Sequence, residues 1–125
     1  MLKVMLLLKR KPGMTLAEFI DRYERVHAPL VMRTGSTTLH YERHFLHPGG
    51  RFLWDEEIVE PEYDVITELW YPDRAAFDRQ MERIRSRPDL IAPILADEEE
   101  MFDREKSRIT FVESHLSPPR ATESG

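Results

Sequence analysis

The chain has 125 residues, enough for one domain with its own hydrophobic core. Apolar residues make up 41% and charged residues 33%, the balance of a soluble globular protein rather than a disordered one. A net charge of -5 with scattered Lys and Arg excludes a non-specific nucleic-acid binder, and the absence of cysteine excludes disulfides, thiolate metal sites and a cysteine nucleophile.

Residues 2–8 are an almost continuous apolar run closed by Lys9, Arg10, Lys11, Pro12 and Gly13. They predict a central strand covered on both faces. The run is far too short to cross a membrane and has no cleavage site after it, so no membrane partner is expected. With no cysteine and no leader visible, a cytoplasmic location is the expectation.

An amphipathic helix follows over 15–27. Leu16, Phe19, Ile20, Tyr23 and Leu30 recur on one face, and His27 falls on that face four residues after Tyr23. Thr15 and Glu18 fit a capping box. Pro29 biases Ala28 away from helical angles, so the helix is expected to end near His27. A titratable imidazole then points inward at a helix end. It is either a core histidine with a satisfied hydrogen bond or a tuned catalytic group.

Residues 37–46 read as a second strand. Leu39, Tyr41, Arg43 and Phe45 take one face; His40, Glu42 and His44 take the other. The segment 47–63 is long for a hairpin loop and carries an apolar patch, Phe52, Leu53 and Trp54, that suits a lid or packs against the chain's own core. Residues 64–71 form a third strand, with Ile66, Glu68 and Trp70 opposite Val65, Thr67, Leu69 and Tyr71. Asp73 caps a second helix that turns Phe77, Met81 and Ile84 inward and ends at Arg87 and Pro88. A shorter helix starting near Pro93 places 97–100 in its first turns, where acids suit the helix dipole and face solvent. A fourth strand covers 109–116. The polar tail 117–125 is expected to be disordered.

The order β-α-β-β-α-(α)-β predicts a ferredoxin-like α+β sandwich over 1–116, with four antiparallel strands and helices on one face. The uncovered face then needs a second copy of the chain, so a homodimer is expected.

Several stretches resemble the EthD family: the opening from Met1 to Thr15, then Glu18 and Phe19, and Val26 to Leu30. Thr67 to Trp70 with its following helix, Asp97 to Asp103 and Val112 to His115 add to the likeness. The resemblance covers nearly the whole chain except the 47–63 loop and the tail. It implies a dimeric α+β barrel, in agreement with the element order. That superfamily includes polyketide cyclases, anthraquinone-pathway decarboxylases and dehydratases, muconolactone isomerases and quinone-forming monooxygenases, so it implies a fold more narrowly than a reaction. His27 and Tyr41 match a helix-end histidine and a second-strand tyrosine of the methylmuconolactone methylisomerase branch. That branch's third-strand cysteine falls near Glu68 here, and its loop histidine has no match, so the same reaction is not implied.

From these residues a cofactor-independent acid–base site is expected. His27 transfers the proton, Tyr41 donates to a developing enolate oxygen, and Glu68 orients His27 or acts as an acid. Tyr23, Arg43, Phe45, Trp54 and Trp70 line the pocket for a small aromatic or polyketide-like ligand, with Arg43 and Glu68 paired if the two strand faces coincide. A buried ion pair in an ordinary aromatic core is the alternative. No metal is expected, because His40 and His44 are roughly 13 Å apart along a strand at about 3.3 Å per residue. No phosphate loop or nucleotide fingerprint is present, so no cofactor is expected. The expected activities are cyclase, isomerase, dehydratase or decarboxylase. A non-catalytic binding or accessory protein is the second reading, and a cofactor-free monooxygenase the third.

Overall fold

The computed structural model describes residues 1–120; the last five residues of the expected tail, 121–125, lie outside the described residues. The elements are β1 (Leu2–Leu8), α1 (Leu16–Arg22), a π-helical turn (Tyr23–His27), α2 (Ala28–Met32), β2 (His40–Phe45), β3 (Gly49–Gly50), β4 (Ile58–Val59), β5 (Val65–Tyr71), α3 (Arg74–Arg85), α4 (Pro88–Met101), a 3-10 turn (Arg104–Lys106) and β6 (Arg108–Val112). β2, β5, β1 and β6 lie side by side in that order as one antiparallel sheet of four strands. This is the ferredoxin-like arrangement that the element order predicts.

The register fixes which side chains face the helices. Val4 lies opposite Leu69 and Phe111, and these positions point to the helical layer. The core there has two parts. One holds Val4, Leu69, Tyr71 and Phe77; the other holds Phe19, Tyr23, Val65, Met101 and Phe102. The second is built from edge-to-face rings: Phe19 is 6.1 Å from Tyr23 and 5.8 Å from Phe102, and Tyr23 is 5.6 Å from Phe45. Removing Phe19, which is fully buried, is expected to cost about 3–5 kcal/mol.

Both N-caps are where the sequence puts them. The Thr15 N–H donates to Glu18 Oε1 at 3.0 Å and the Glu18 N–H to Thr15 Oγ1 at 3.1 Å, closing the capping box. The Ala76 N–H donates to Asp73 Oδ1 at 2.8 Å at the start of α3.

The first helical stretch does not end at His27. It passes through Ala28 and Pro29 to Met32. Proline has no N–H and its ring crowds the carbonyl four residues back. The chain meets this by widening one turn, so that the Ala28 N–H bonds the Tyr23 carbonyl in a π pattern and Pro29 stands in the first turn of a renewed α-helix.

The last helix also departs from expectation. It begins at Pro88, not Pro93, so the acids 97–100 fall in its last turns. Pro93 is accommodated inside it because the carbonyl it leaves unpaired, that of Asp89, accepts from Arg33 Nη2 at 3.2 Å.

Two further expectations are overturned. His40 pairs with Trp70, Glu42 with Glu68 and Arg43 with Thr67, so Glu68 and Trp70 share a face with the histidines of β2 and lie away from Tyr41, Arg43 and Phe45. The long loop forms its own small β3–β4 ribbon, and Phe52, Leu53 and Trp54 stand in solvent, with Trp54 83% exposed; they do not lie over the chain's own core.

Candidate active site

His27 is buried at the end of the π turn, against Tyr23 (5.1 Å between ring centres) and Phe102 (5.2 Å). The wide turn matters for its aim. Residues four apart in an α-helix advance by about 40° around the axis. A π turn takes that advance back, which keeps Phe19, Tyr23 and His27 stacked along one inward line.

Across from it, α4 brings a carboxylate. His27 Nδ1 lies 3.0 Å from Asp97 Oδ2, and Asp97 Oδ1 accepts from Arg22 Nε at 2.8 Å and Nη2 at 2.6 Å. Asp97 is only 3% exposed. With its other oxygen filled by the guanidinium, this carboxylate accepts a proton-bearing Nδ1, which leaves Nε2 as the basic nitrogen. No described side chain bonds Nε2. His27 lines an open cleft of about 250 Å³ between α4 and the β1–β6 side of the sheet. Leu6, Leu8, Phe102 and Ile109 form its apolar walls, while Glu98, Arg104 and Arg108 bring charge.

The electrostatics of the two acid–base groups differ. Burial is the largest influence on His27 and holds its imidazole below the ordinary 6.5, with Asp97 pulling the other way. Burial also dominates at Glu98 and pushes its carboxyl above the ordinary 4.5; Arg104 opposes the shift and Asp97 adds to it. A neutral imidazole and a carboxyl displaced upward thus share one cavity. Such pairs are a physical mark of acid–base sites.

Of the expected site residues, only His27 lines this cleft. Tyr23 packs on the histidine ring, but its hydroxyl is spent on Thr67 Oγ1 at 2.6 Å inside the core. Tyr41 is packed between the two parts of the core beside Tyr23, and burial pushes its phenol well up. Arg43 pairs with Glu24 rather than Glu68, through Nε at 2.9 Å and Nη2 at 2.5 Å, and lies over the Tyr41 ring. Phe45 is a core residue against Phe19 and Tyr23. Glu68 and Trp70 are on the opposite face of the sheet, and Trp54 is in solvent. The role expected of Glu68, orienting His27, is geometrically that of Asp97. A signal for Asp97 exists in the sequence: Leu90, Ile94, Asp97 and Met101 recur at helical spacing, which puts a lone carboxylate on an apolar stripe.

A four-stranded antiparallel sheet in the order β2-β5-β1-β6, helices on one face and a histidine–aspartate pair beside an edge cleft define an α+β protein with the fold of the dimeric α+β barrels. The chain belongs to the EthD family, whose domain matches residues 11–105. Among solved structures it is similar to the crystal structure of HapK from Hahella chejuensis, with a TM-score of 0.56 and 17% identity over 98% of this chain and 100% of that one. At that identity the likeness speaks to the fold alone. No curated protein matches the chain. No helix among the described residues is long and apolar enough to cross a membrane.

Proposed function

We propose that the protein is a cofactor-independent acid–base enzyme acting on a small aromatic or polyketide-like molecule, with His27 as the proton-transfer residue. The observation that carries this reading is the Arg22–Asp97–His27 relay, which holds one ring nitrogen and leaves the other beside a cleft. His27 Nε2 takes the proton of a C–H next to a substrate carbonyl. The C–H electron pair moves onto the carbonyl oxygen, and the charge of Arg104 and Arg108 favours the resulting enolate. Asp97 stabilises the imidazolium that forms, as in other histidine–carboxylate pairs. Returning the proton to a different carbon, directly from the His27 imidazolium or handed on from it through the Glu98 carboxylate, completes an isomerisation. Expulsion of a β-hydroxyl from the same enolate, protonated by the His27 imidazolium as it leaves as water, gives a dehydratase. In a decarboxylase the enolate arises instead by loss of carbon dioxide from a β-keto acid, with the charge of Arg104 and Arg108 favouring it and a proton then delivered to its carbon. The cleft is at the small end for ligand sites, and its Leu6, Leu8, Phe102 and Ile109 walls suit a flat apolar body with one acidic group.

The test is turnover of a panel of aromatic β-keto acids and unsaturated lactones by wild type, His27→Asn and Asp97→Asn. His27→Asn is expected to lower kcat by about 10²–10⁴ while the variant stays folded, the usual worth of one acid–base group. Asp97→Asn is expected to lower it as well, because an amide allows the wrong tautomer. An unchanged rate in folded His27→Asn ends the proposal. The second reading, a binding or accessory protein, is favoured if ligands protect wild type and His27→Asn equally against heat and neither turns over.

A further inference from the structure

The face of the sheet turned away from the helices carries its own cluster of ligating groups. His40, Glu42 and His44 alternate along β2, and Glu42 stands directly opposite Glu68 of β5. Two carboxylates facing each other across an antiparallel pair repel, and a cation between them removes that cost. The imidazoles sit where such a cation needs them. His40 Nε2 is 2.7 Å from Glu42 Oε1; His44 Nε2 is 3.1 Å from Glu68 Oε1 and 3.9 Å from Glu42 Oε1. One ligating atom from each of His40, Glu42 and Glu68 falls within 4.8 Å of the others. The strand separation of His40 and His44 describes their backbones; both side chains lean towards Glu42 between them, which closes the gap.

The groups around the cluster fix its aim. Trp70 Nε1 donates to Glu68 Oε2 at 2.6 Å, and the Trp70 ring stacks on His40 at 4.4 Å and 27°. Outer partners of this kind orient metal ligands and their loss weakens binding. Lys3, the nearest cation on β1, lies over the Trp70 ring at 4.8 Å and is not within bonding distance of either carboxylate.

We propose that His40, Glu42 and Glu68, with His44 as fourth ligand, bind one divalent transition-metal ion of the zinc type. Two imidazole nitrogens and two carboxylate oxygens match that class, whereas Ca²⁺ and Mg²⁺ favour all-oxygen shells. The site is on the other side of the sheet from the His27 cleft, so it ties two strands together and takes no part in the proposed proton transfer.

The test is equilibrium dialysis of the full chain, stripped with chelator, against Zn²⁺ with excess Mg²⁺, the bound metal being counted by elemental analysis. One zinc per chain is expected. His40→Ala and Glu68→Gln are each expected to weaken binding by about tenfold or more. His115→Ala removes the exposed His115–Glu113 pair and is expected to change nothing. Glu42 is exposed on an edge strand, so Glu42→Gln keeps the fold and guards against loss of binding through unfolding. No zinc retained by wild type, or zinc bound by Glu42→Gln and His40→Ala as by wild type, overturns the proposal.

Discussion

At the scale of single residues, the site is a contest between burial and pairing at His27. Burial wins, so the folded imidazole titrates below its ordinary 6.5. Above 6.5 it is neutral in both folded and unfolded chains and adds no pH dependence. Below 6.5 the unfolded chain takes up the proton first, and stability falls as pH drops towards the lower folded value. Urea melts of wild type and His27→Asn at pH 7.5 and 5.5 are expected to show a steeper loss for wild type; parallel losses would contradict the depressed pKa. Glu98 has the opposite sign. Its carboxyl is raised, so the stability it contributes is present below 4.5 and is lost as pH rises through the folded value. Glu98→Gln is therefore expected to raise the melting midpoint at pH 7.5 and to lower turnover there, the signature of a group kept for chemistry rather than stability.

At the scale of elements, two prolines decide how the site is assembled. Pro29 meets the first helical stretch with a π turn that aims His27 inward, and Pro93 is tolerated because Arg33 serves the carbonyl of Asp89. An interior proline still lacks its N–H and crowds the preceding turn. Pro93→Ala is thus expected to stabilise the protein by about 1–2 kcal/mol in urea denaturation, less than the full helix-propensity gap because the unfolded chain gains freedom too. A destabilised variant would show that Pro93 is needed for packing. The order of the main elements, both caps and the inward His27 are legible in the sequence because each is written in a local signal: an apolar run, a Thr15–Glu18 pair, a three–four spacing. Asp97 is missed because Pro88 and Pro93 both suit a first turn: a start at Pro93 drops Leu90 from the apolar stripe and turns Asp97 into an ordinary first-turn acid of the kind that faces solvent. The facing of Glu68 is missed for a different reason. A short turn fixes register, but 47–63 is long enough to join β2 and β5 with either parity. The structure chooses the parity that buries Thr67 under Tyr23 and leaves Glu68 with His44.

For the whole molecule, the question is what covers the outer face of the sheet. The helices bury the side carrying Val4, Thr67 and Leu69, which leaves Met5, Leu7, Ile66, Trp70 and Val112 half-buried on the other side. The apolar strip at the centre of this face is Met5, Leu7 and Ile66. Lys3 and Glu68 lie beside it, His40, Glu42 and His44 run along its β2 edge and Arg108 stands on β6, so the strip is polar-edged and the proposed zinc ligands lie at the margin of the contact. A second copy placed face to face satisfies the strip symmetrically, since an isologous contact needs only one self-complementary patch. We therefore propose a homodimer through this face, in keeping with the barrel fold. Light scattering at micromolar concentration is expected to give twice the chain's 14.8 kDa. Leu7 and Ile66 are partners in adjacent strands near the middle of the strip. Leu7→Arg puts a second positive charge directly opposite Arg108 at that centre, where burial of an unpaired charge costs several kcal/mol, and is expected to give the monomer with the fold intact. The His27 cleft opens on the helical side at the β6 edge, so the variant's fate also locates the chemistry. Turnover that survives in the monomer means each chain carries a complete site. Turnover lost together with the dimer means the partner closes the cleft. A monomeric wild type would instead require another occupant for the strip.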